Sequence, residues 1–248
     1  MELNRRSFLI GGGLTAAGLL GLAPNATLPA AASAVDSGPF AEPLGVCRPQ
    51  DPLGQLLKGN QRFARAWRSQ TTASAMDERA DAMASLWTNH CYESPEALAS
   101  GQAPWASVLS CADSRVSPEW IFSAAPSDLF VIRSAGNTAF SNAIGSLEFG
   151  VEHLGTPLIM VMGHSGCGAV TAARDHEPLT PNLEELVKPI RASLRPGETL
   201  EAAIKTNARQ CARQLTERSP LLAEAERSGT LSIVVSYFDI RSGDVTLL

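Results

Sequence analysis

The sequence lacks any Cys-x-x-Cys pair and has only five cysteines among its 248 residues. A small, odd number of cysteines does not suggest a disulfide framework, and the missing pairs argue against a structural zinc ribbon. Cys47 and Cys91 lie in loop-like sequence, where either a bridge or two free thiols would be compatible with the pattern. Cys211 falls on an apolar helical stripe, which predicts a core residue.

Basic residues are also scarce. The chain has 20 Lys and Arg against 25 Asp and Glu, a formal net charge of -5, and no basic stripe is visible. We therefore expect no nucleic-acid partner, because phosphate backbones bind to clustered positive charge. With 44% hydrophobic and 18% charged residues, the chain can bury a substantial core.

The apolar stretch at 9–23 is too short for a membrane-spanning helix, which needs about 20 residues. It follows Arg5 and Arg6 and precedes small residues at 32–34 that suit cleavage. This pattern resembles a twin-arginine export signal over residues 1–34, with the folded domain at 35–248. A periplasmic or exported protein without a stable membrane anchor is therefore expected. An uncleaved anchor or a disordered leader is the alternative.

Within 35–248, apolar runs alternate with helical patterns. Asp51 and Pro52 predict the start of a first helix, as N-cap and first helical residue. Asn142 is predicted to cap a later helix that Gly155 ends. The predicted strands are 107–110, 128–132, 158–162, 231–235 and, at an edge, 245–248; further helices are predicted at 182–194 and 199–217. Residues 69–95 could not be assigned a role.

Strands that are apolar throughout and separated by helices favour a parallel sheet covered on both faces. The predicted fold class is therefore α/β, with a central, mainly parallel β-sheet flanked by helices and an N-terminal helical arm. Ligands of such sheets bind at the carboxyl ends of the strands.

Three zinc-ligand side chains follow two of the predicted strands. Cys111 comes directly after the first strand, and His164 and Cys167 come after the third. Zinc prefers thiolate and imidazole ligands, and three protein ligands with an open fourth position are typical of a catalytic zinc. Taken singly, each residue could be an ordinary buried side chain; together they predict one metal site.

An acidic and a basic residue stand close to the first cysteine. Asp113 can accept a hydrogen bond from a metal-activated water, and Arg115 can hold that carboxylate in a guanidinium fork. Two thiolates make the zinc a weaker Lewis acid, so help from Asp113 is needed. Taken alone, Asp113 could be a turn residue and Arg115 a surface ion-pair partner.

These motifs, Cys-x-Asp-x-Arg at 111–115 and His-x-x-Cys at 164–167, resemble those of the β-class carbonic anhydrases. Further matches are Gly-Asn at 59–60, Gly-Gln-Ala-Pro at 101–104, Ala-Gly-Asn at 135–137 and Ser-Leu-Glu-Phe at 146–149. The resemblance covers roughly residues 51–248, and its paired motifs are highly specific.

The resemblance implies reversible hydration of CO₂ to bicarbonate and a proton by zinc-bound hydroxide. Cys111, His164 and Cys167 would bind one Zn²⁺ per subunit, and Asp113 with Arg115 would form the catalytic pair. The residues implied to contact substrate are Gln102, near a subunit boundary, and Phe130, Phe149 and Gly168. A homodimer or homotetramer is expected.

Two other functions are compatible with the same residues. One is hydrolysis of carbonyl sulfide or carbon disulfide at the same site. The other is a non-catalytic protein that binds zinc or bicarbonate, although a scaffold would not need Asp113, Arg115 and Gln102.

Overall fold

The central element is a five-stranded sheet with strand order β2-β1-β3-β4-β5. Four strands run parallel and β5 runs antiparallel to β4. The strands are β1 (Ala106–Cys111), β2 (Leu129–Ser134), β3 (Leu158–His164), β4 (Ser232–Phe238) and β5 (Val245–Leu247). This computed structural model describes residues 44–69, 76–88, 90–175 and 177–248. The predicted signal at 1–34 lies outside the described residues.

Helices cover the sheet. They are α1 (Pro52–Ser69), α2 (Met76–Ala84), α3 (Pro95–Ser100), α4 (Pro118–Ile121), α5 (Ser141–Glu152), α6 (Gly168–Arg174), α7 (Pro181–Ser193), α8 (Leu200–Arg218) and α9 (Pro220–Arg227). In the described part of the chain, no helix has the length and hydropathy required to cross a bilayer.

Every residue of β1 and β3 is buried, because apolar layers pack on both faces of these central strands. On one face, Val108 and Met160 belong to a core that Phe63 of α1 completes. On the other, Leu109 and Val161 pack among residues of α5, α8 and α9. The predicted α/β fold with a mainly parallel sheet is confirmed.

The first helix begins as predicted, at Pro52, and the Asp51 carboxylate accepts the Gly54 amide at 2.9 Å. The predicted cap of α5 is wrong: the helix begins at Ser141, so Asn142 lies inside its first turn. Phe140 takes the N-cap position without a side-chain hydrogen bond, and Arg218 from α8 donates to the Ala139 carbonyl and the Ser141 hydroxyl on either side of it.

Two further predictions concern cysteines. Cys211 is 3% exposed in the core beside α5, as its helical stripe predicts. Cys47 and Cys91, left open by the sequence, form a disulfide with 5.5 Å between their Cα atoms.

Candidate metal centre and active site

The three predicted metal ligands meet at the end of the sheet where the carboxyl termini of the parallel strands lie. Cys111 is the last residue of β1 and His164 the last of its neighbour β3, so the two side chains leave the sheet together. Cys167 is the N-cap residue of α6. The ligand atoms of all three lie within 4.8 Å of one another, and all three residues are buried.

The donor set fits a zinc ion. His164 Nδ1 lies 3.1 Å from the Ser165 carbonyl, which can only accept, so this nitrogen carries the proton. The lone pair is therefore on Nε2, which is buried and has no hydrogen-bond partner among the described residues. A buried imidazole nitrogen without a partner, facing two sulfurs that are 4.0 Å apart, suits a soft divalent cation.

The two sulfurs share one hydrogen bond, in which either can be the donor. The pKa of Cys111 is lowered, chiefly by its hydrogen bond with the Cys167 sulfur, and the Gly136 amide contributes. The pKa of Cys167 is raised by the same contact and by burial. The contact thus favours a thiolate within the pair, and thiolates are the form that binds metals.

Asp113 stands beside this cluster in a fixed orientation. Its Oδ2 lies 3.9 Å from His164 Nε2. Arg115 grips both carboxylate oxygens, from Nε to Oδ1 at 2.9 Å and from Nη2 to Oδ2 at 2.7 Å. The hydrogen bonds from Arg115 hold the pKa of Asp113 well below its usual range. Asp113 is therefore ionised and its rotation is restricted.

Arg115 also joins the two ligand-bearing segments. Its Nη2 donates to the Gly166 carbonyl at 3.3 Å, between His164 and Cys167. The Arg115 side chain is 54% exposed, so solvent weakens the ion pair with Asp113 and its geometry matters more than its energy.

Sequence reasoning missed Arg133, which positions the loop after β1. From the neighbouring strand β2, its guanidinium donates to the Cys111 carbonyl at 3.1 Å and to the Asp113 carbonyl at 2.7 Å. In the sequence, Arg133 is visible only as a lone arginine directly after the predicted strand at 128–132, a position from which it can reach a neighbouring strand end. One side chain thereby fixes the backbone of a metal ligand and of the neighbouring carboxylate.

Sequence reasoning also missed the roles of Gly136 and Asn207. The Gly136 amide donates to the Cys111 sulfur at 3.3 Å, and its carbonyl accepts from Asn207 of α8 at 2.8 Å. In the sequence, Gly136 stands out only as part of the Ala-Gly-Asn motif at 135–137. These contacts fix the loop after β2 against the first ligand.

The predicted substrate residues do not all reach this cluster. Gly168 follows Cys167 directly, at the start of α6. Phe130, however, pairs with Ser107, four residues before Cys111, which is about 13 Å along the strand. Phe149 of α5 packs near Phe130, with 6.2 Å between the ring centroids, and is 45% exposed.

Gln102 also lies at the opposite end of the sheet, near the amino end of β1. It is exposed and precedes the first residue of β1, whereas the metal ligands follow the last residues of β1 and β3. Within one chain, the structure therefore brings Gly168 to the metal ligands and leaves Gln102, Phe130 and Phe149 at the other end.

A family model described as carbonic anhydrase matches residues 106–245, which include the metal ligands and both catalytic candidates. The chain belongs to the carbonic anhydrase family. It is 42% identical over 118 residues to carbonic anhydrase 2 of Mycobacterium tuberculosis, covering 48% of this chain and 49% of that protein. The chain thus spans about half the length of that relative.

Two other similarities extend further. The chain is 31% identical over 159 residues to a carbonic anhydrase of Mycolicibacterium smegmatis, covering 60% of this carbonic anhydrase homologue and 77% of the relative. A tetrameric β-carbonic anhydrase of Sordaria macrospora superposes with a TM-score of 0.56 at 25% identity, covering 61% and 83% of the two chains. The family and the fold are thus those of the β-class.

Proposed function

We propose that this protein is a zinc-dependent carbonic anhydrase that converts CO₂ and water reversibly to bicarbonate and a proton. The observation that carries the proposal is the convergence of Cys111, His164 and Cys167 beside a carboxylate that Arg115 holds in place. The family match supports it. Neither hydrolysis of carbonyl sulfide or carbon disulfide nor a non-catalytic role gains support from the comparisons.

Cys111, His164 and Cys167 would hold one zinc ion per subunit and leave one coordination position open. When bound, zinc supplies a Lewis acid that makes water a nucleophile near neutral pH. The Gly136 amide and the Arg133 guanidinium fix the Cys111 sulfur and backbone, so that the ligand geometry is set by the fold.

Asp113 would accept a hydrogen bond from the water that attacks CO₂ and so orient its lone pair. Its ionised state suits an acceptor, and the low pKa means that it keeps this state through the neutral range. Because Arg115 occupies both carboxylate oxygens, Asp113 is also kept from becoming a fourth ligand.

Gln102, Phe130 and Phe149 would serve the site from a second subunit. In one chain they lie at the far edge of the sheet, and Phe149 and Gln102 are exposed there. A homodimer or homotetramer in which the two edges face each other would bring them to the metal ligands and Gly168. The tetrameric state of the Sordaria macrospora relative supports an oligomer.

The test is metal analysis and stopped-flow CO₂ hydration on the purified protein. Asp113→Asn should retain zinc and lose roughly 100-fold in kcat/KM, because one preorganised hydrogen bond to the reacting water is lost. Asp81→Asn, an exposed change on α2, is the matched control and should behave as wild type. Near wild-type rates for Asp113→Asn would remove this residue from the mechanism, and a zinc-free, inactive wild type would contradict the proposed function.

We also propose that the protein is exported by the twin-arginine route and acts in the periplasm or outside the cell. The Cys47–Cys91 disulfide supports this location, because such bonds persist in oxidising compartments. Arg5→Lys/Arg6→Lys should shift the protein to the cytoplasmic fraction, whereas Arg209→Lys/Arg213→Lys on the exposed face of α8 should not. An unchanged distribution of the first variant would contradict export by this route.

A further inference from the structure

The disulfide attaches the segment 44–48 to the loop at 91–93. Besides the Cys47–Cys91 bond, the Gly45 amide donates to the Glu93 carboxylate at 2.6 Å. A turn within the segment, from the Arg48 amide to the Gly45 carbonyl at 3.1 Å, fixes its shape. The segment is thus held at two points by a part of the chain that is 44 residues away.

The same segment lies close to both neighbours of Gln102. A Cβ atom at Gly101 would stand 3.2 Å from the Leu44 side chain, and one at Gly45 would stand 3.3 Å from the Ala103 Cβ. Both distances would be tighter than usual for a real Cβ atom, so segment 44–48 and the loop 101–104 leave little room for a side chain at Gly45 or Gly101. Displacement of the segment would therefore release the backbone on either side of Gln102.

Arg48 links this loop to a second structural element. Its guanidinium donates to the Pro104 carbonyl at 3.1 Å and also to the Gly155 carbonyl. Gly155 ends the turn that follows α5, the helix that carries Phe149. One side chain therefore joins the segments that present Gln102 and Phe149.

We propose that Arg48 is a positioning residue, held by the Cys47–Cys91 disulfide, that fixes Gln102 and Phe149 relative to each other for substrate binding. This inference rests on the proposed function and extends it. Full activity then requires the oxidised cysteines. When the bond forms, the two cysteine thiols lose two electrons and two protons. A disulfide of another molecule in the compartment accepts them and becomes two thiols.

Kinetics of the full oxidised protein test the proposal. Cys47→Ser/Cys91→Ser and Arg48→Gln should each lower kcat/KM for CO₂ about ten-fold, because a misplaced substrate contact is costly. Zinc content should not change, since the metal ligands lie at the other edge of the sheet. Arg48→Lys should recover part of the loss, and Arg227→Lys, an exposed arginine on α9, is the matched control.

A double-mutant cycle separates positioning from general damage. In a Gln102→Ala background, removal of the disulfide should cause little further loss, because residues that act through one contact are not additive. Equal losses in both backgrounds would overturn the proposal, as would wild-type kinetics of Cys47→Ser/Cys91→Ser.

Hydrogen exchange gives a second measurement that does not depend on activity. The Ala103 amide donates to the Ser127 hydroxyl at 3.0 Å and should exchange faster when the disulfide or Arg48 is removed. Unchanged exchange at 101–104 would overturn the proposal. If the wild type hydrates no CO₂, the proposed function fails, and exchange alone decides whether segment 44–48 holds the Gln102 loop.

Discussion

Gly136 meets two demands that disfavour any residue with a side chain. Its φ of +69° lies in the left-handed region, and an added Cβ atom would stand 2.7 Å from Ile190 Cδ1 and 3.2 Å from the Ala169 Cβ. In this conformation its amide points at the Cys111 sulfur. Gly136 therefore couples the loop after β2 to the first metal ligand.

Gly136→Ala should lower the free energy of unfolding by about 2–4 kcal/mol, from left-handed strain and overpacking together. It should also weaken zinc binding, because the amide moves away from Cys111. Urea unfolding and competition with a zinc chelator measure the two effects. Gly197→Ala, with φ +78° and no atom within 4 Å of the added Cβ, should cost about 1 kcal/mol and leave zinc affinity unchanged. Equal zinc affinities in the two variants would refute the role of Gly136.

At the residue scale, the sequence predicted those side chains whose residue type alone indicates a function, such as metal binding. Cys111, His164 and Cys167 were recognisable because ligand-type residues followed two apolar runs. Arg133 and Asn207 were not, because each acts through hydrogen bonds to backbone carbonyls of distant segments. Such contacts depend on which strands become neighbours, and residue type alone does not show that.

At the scale of elements, α1 is attached to the sheet by a buried polar side chain. Asn60 is 4% exposed in the middle of the apolar face of α1. Its Nδ2 donates to the Gly243 carbonyl at 2.9 Å and the Ile121 carbonyl at 3.3 Å, and its Oδ1 accepts the Val245 amide at 2.8 Å. One amide group thus satisfies backbone groups near both α4 and β5.

Asn60→Ala should lower the free energy of unfolding by about 2–4 kcal/mol, because two buried backbone carbonyls and one partly buried amide lose their partner. Gln61→Ala, the exposed neighbour on the same helix, should change it by less than about 0.5 kcal/mol. Chemical denaturation of both variants measures the difference. A small effect of Asn60→Ala would mean that water replaces the amide and that apolar packing alone holds α1.

Elements with a strong local signal were predicted well. The start of α1 and the central strands β1 and β3 follow from a capping residue and from unbroken apolar runs. The start of α5 was predicted wrongly from the local preference of Asn142, because residues beside the true start have a partner in Arg218, which is 77 positions away. Helix α9 was missed, since its short apolar face is completed only by packing in the core beside α5.

At the scale of the whole molecule, the residues implied in catalysis divide between two edges of one sheet. The metal ligands follow the carboxyl ends of β1 and β3, whereas Gln102 and Phe130 lie at the opposite ends. If each site combines the metal ligands of one chain with the substrate residues of a second chain, two different defects can complement each other. One chain would carry a damaged metal site and the other a damaged substrate residue.

Co-expression of Asp113→Asn with Gln102→Ala should restore activity above the mean of the two variants, to about a quarter of wild type. Random pairing makes half of the dimers mixed, and each mixed dimer contains one intact site. The control pairs Asp113→Asn with Cys111→Ser, both at the metal edge, and should show no recovery. Stopped-flow CO₂ hydration decides, and an equal outcome for the two pairs would contradict a shared site.

Sequence predicted the sheet type but not the strand order. Apolar strands alternating with helices indicate a parallel sheet, yet β2-β1-β3-β4-β5 depends on crossovers that composition does not encode. The substrate roles of Gln102, Phe130 and Phe149 were implied by the family resemblance and not by the strand pattern. In one chain, Gln102 and Phe130 lie at the strand ends opposite to the metal ligands.

The attachment of α1 also limits how early the folding of this protein can be completed during synthesis. Asn60 and Trp67 leave the ribosome long before their partners, Gly243 and the Ile240 carbonyl, which are separated from them by 183 and 173 positions. These contacts of α1 can therefore form only after nearly the whole described chain has been made, whereas its partners Ile121 and Phe122 are available much earlier. Until then, α1 is held only by the part of its core that precedes residue 240.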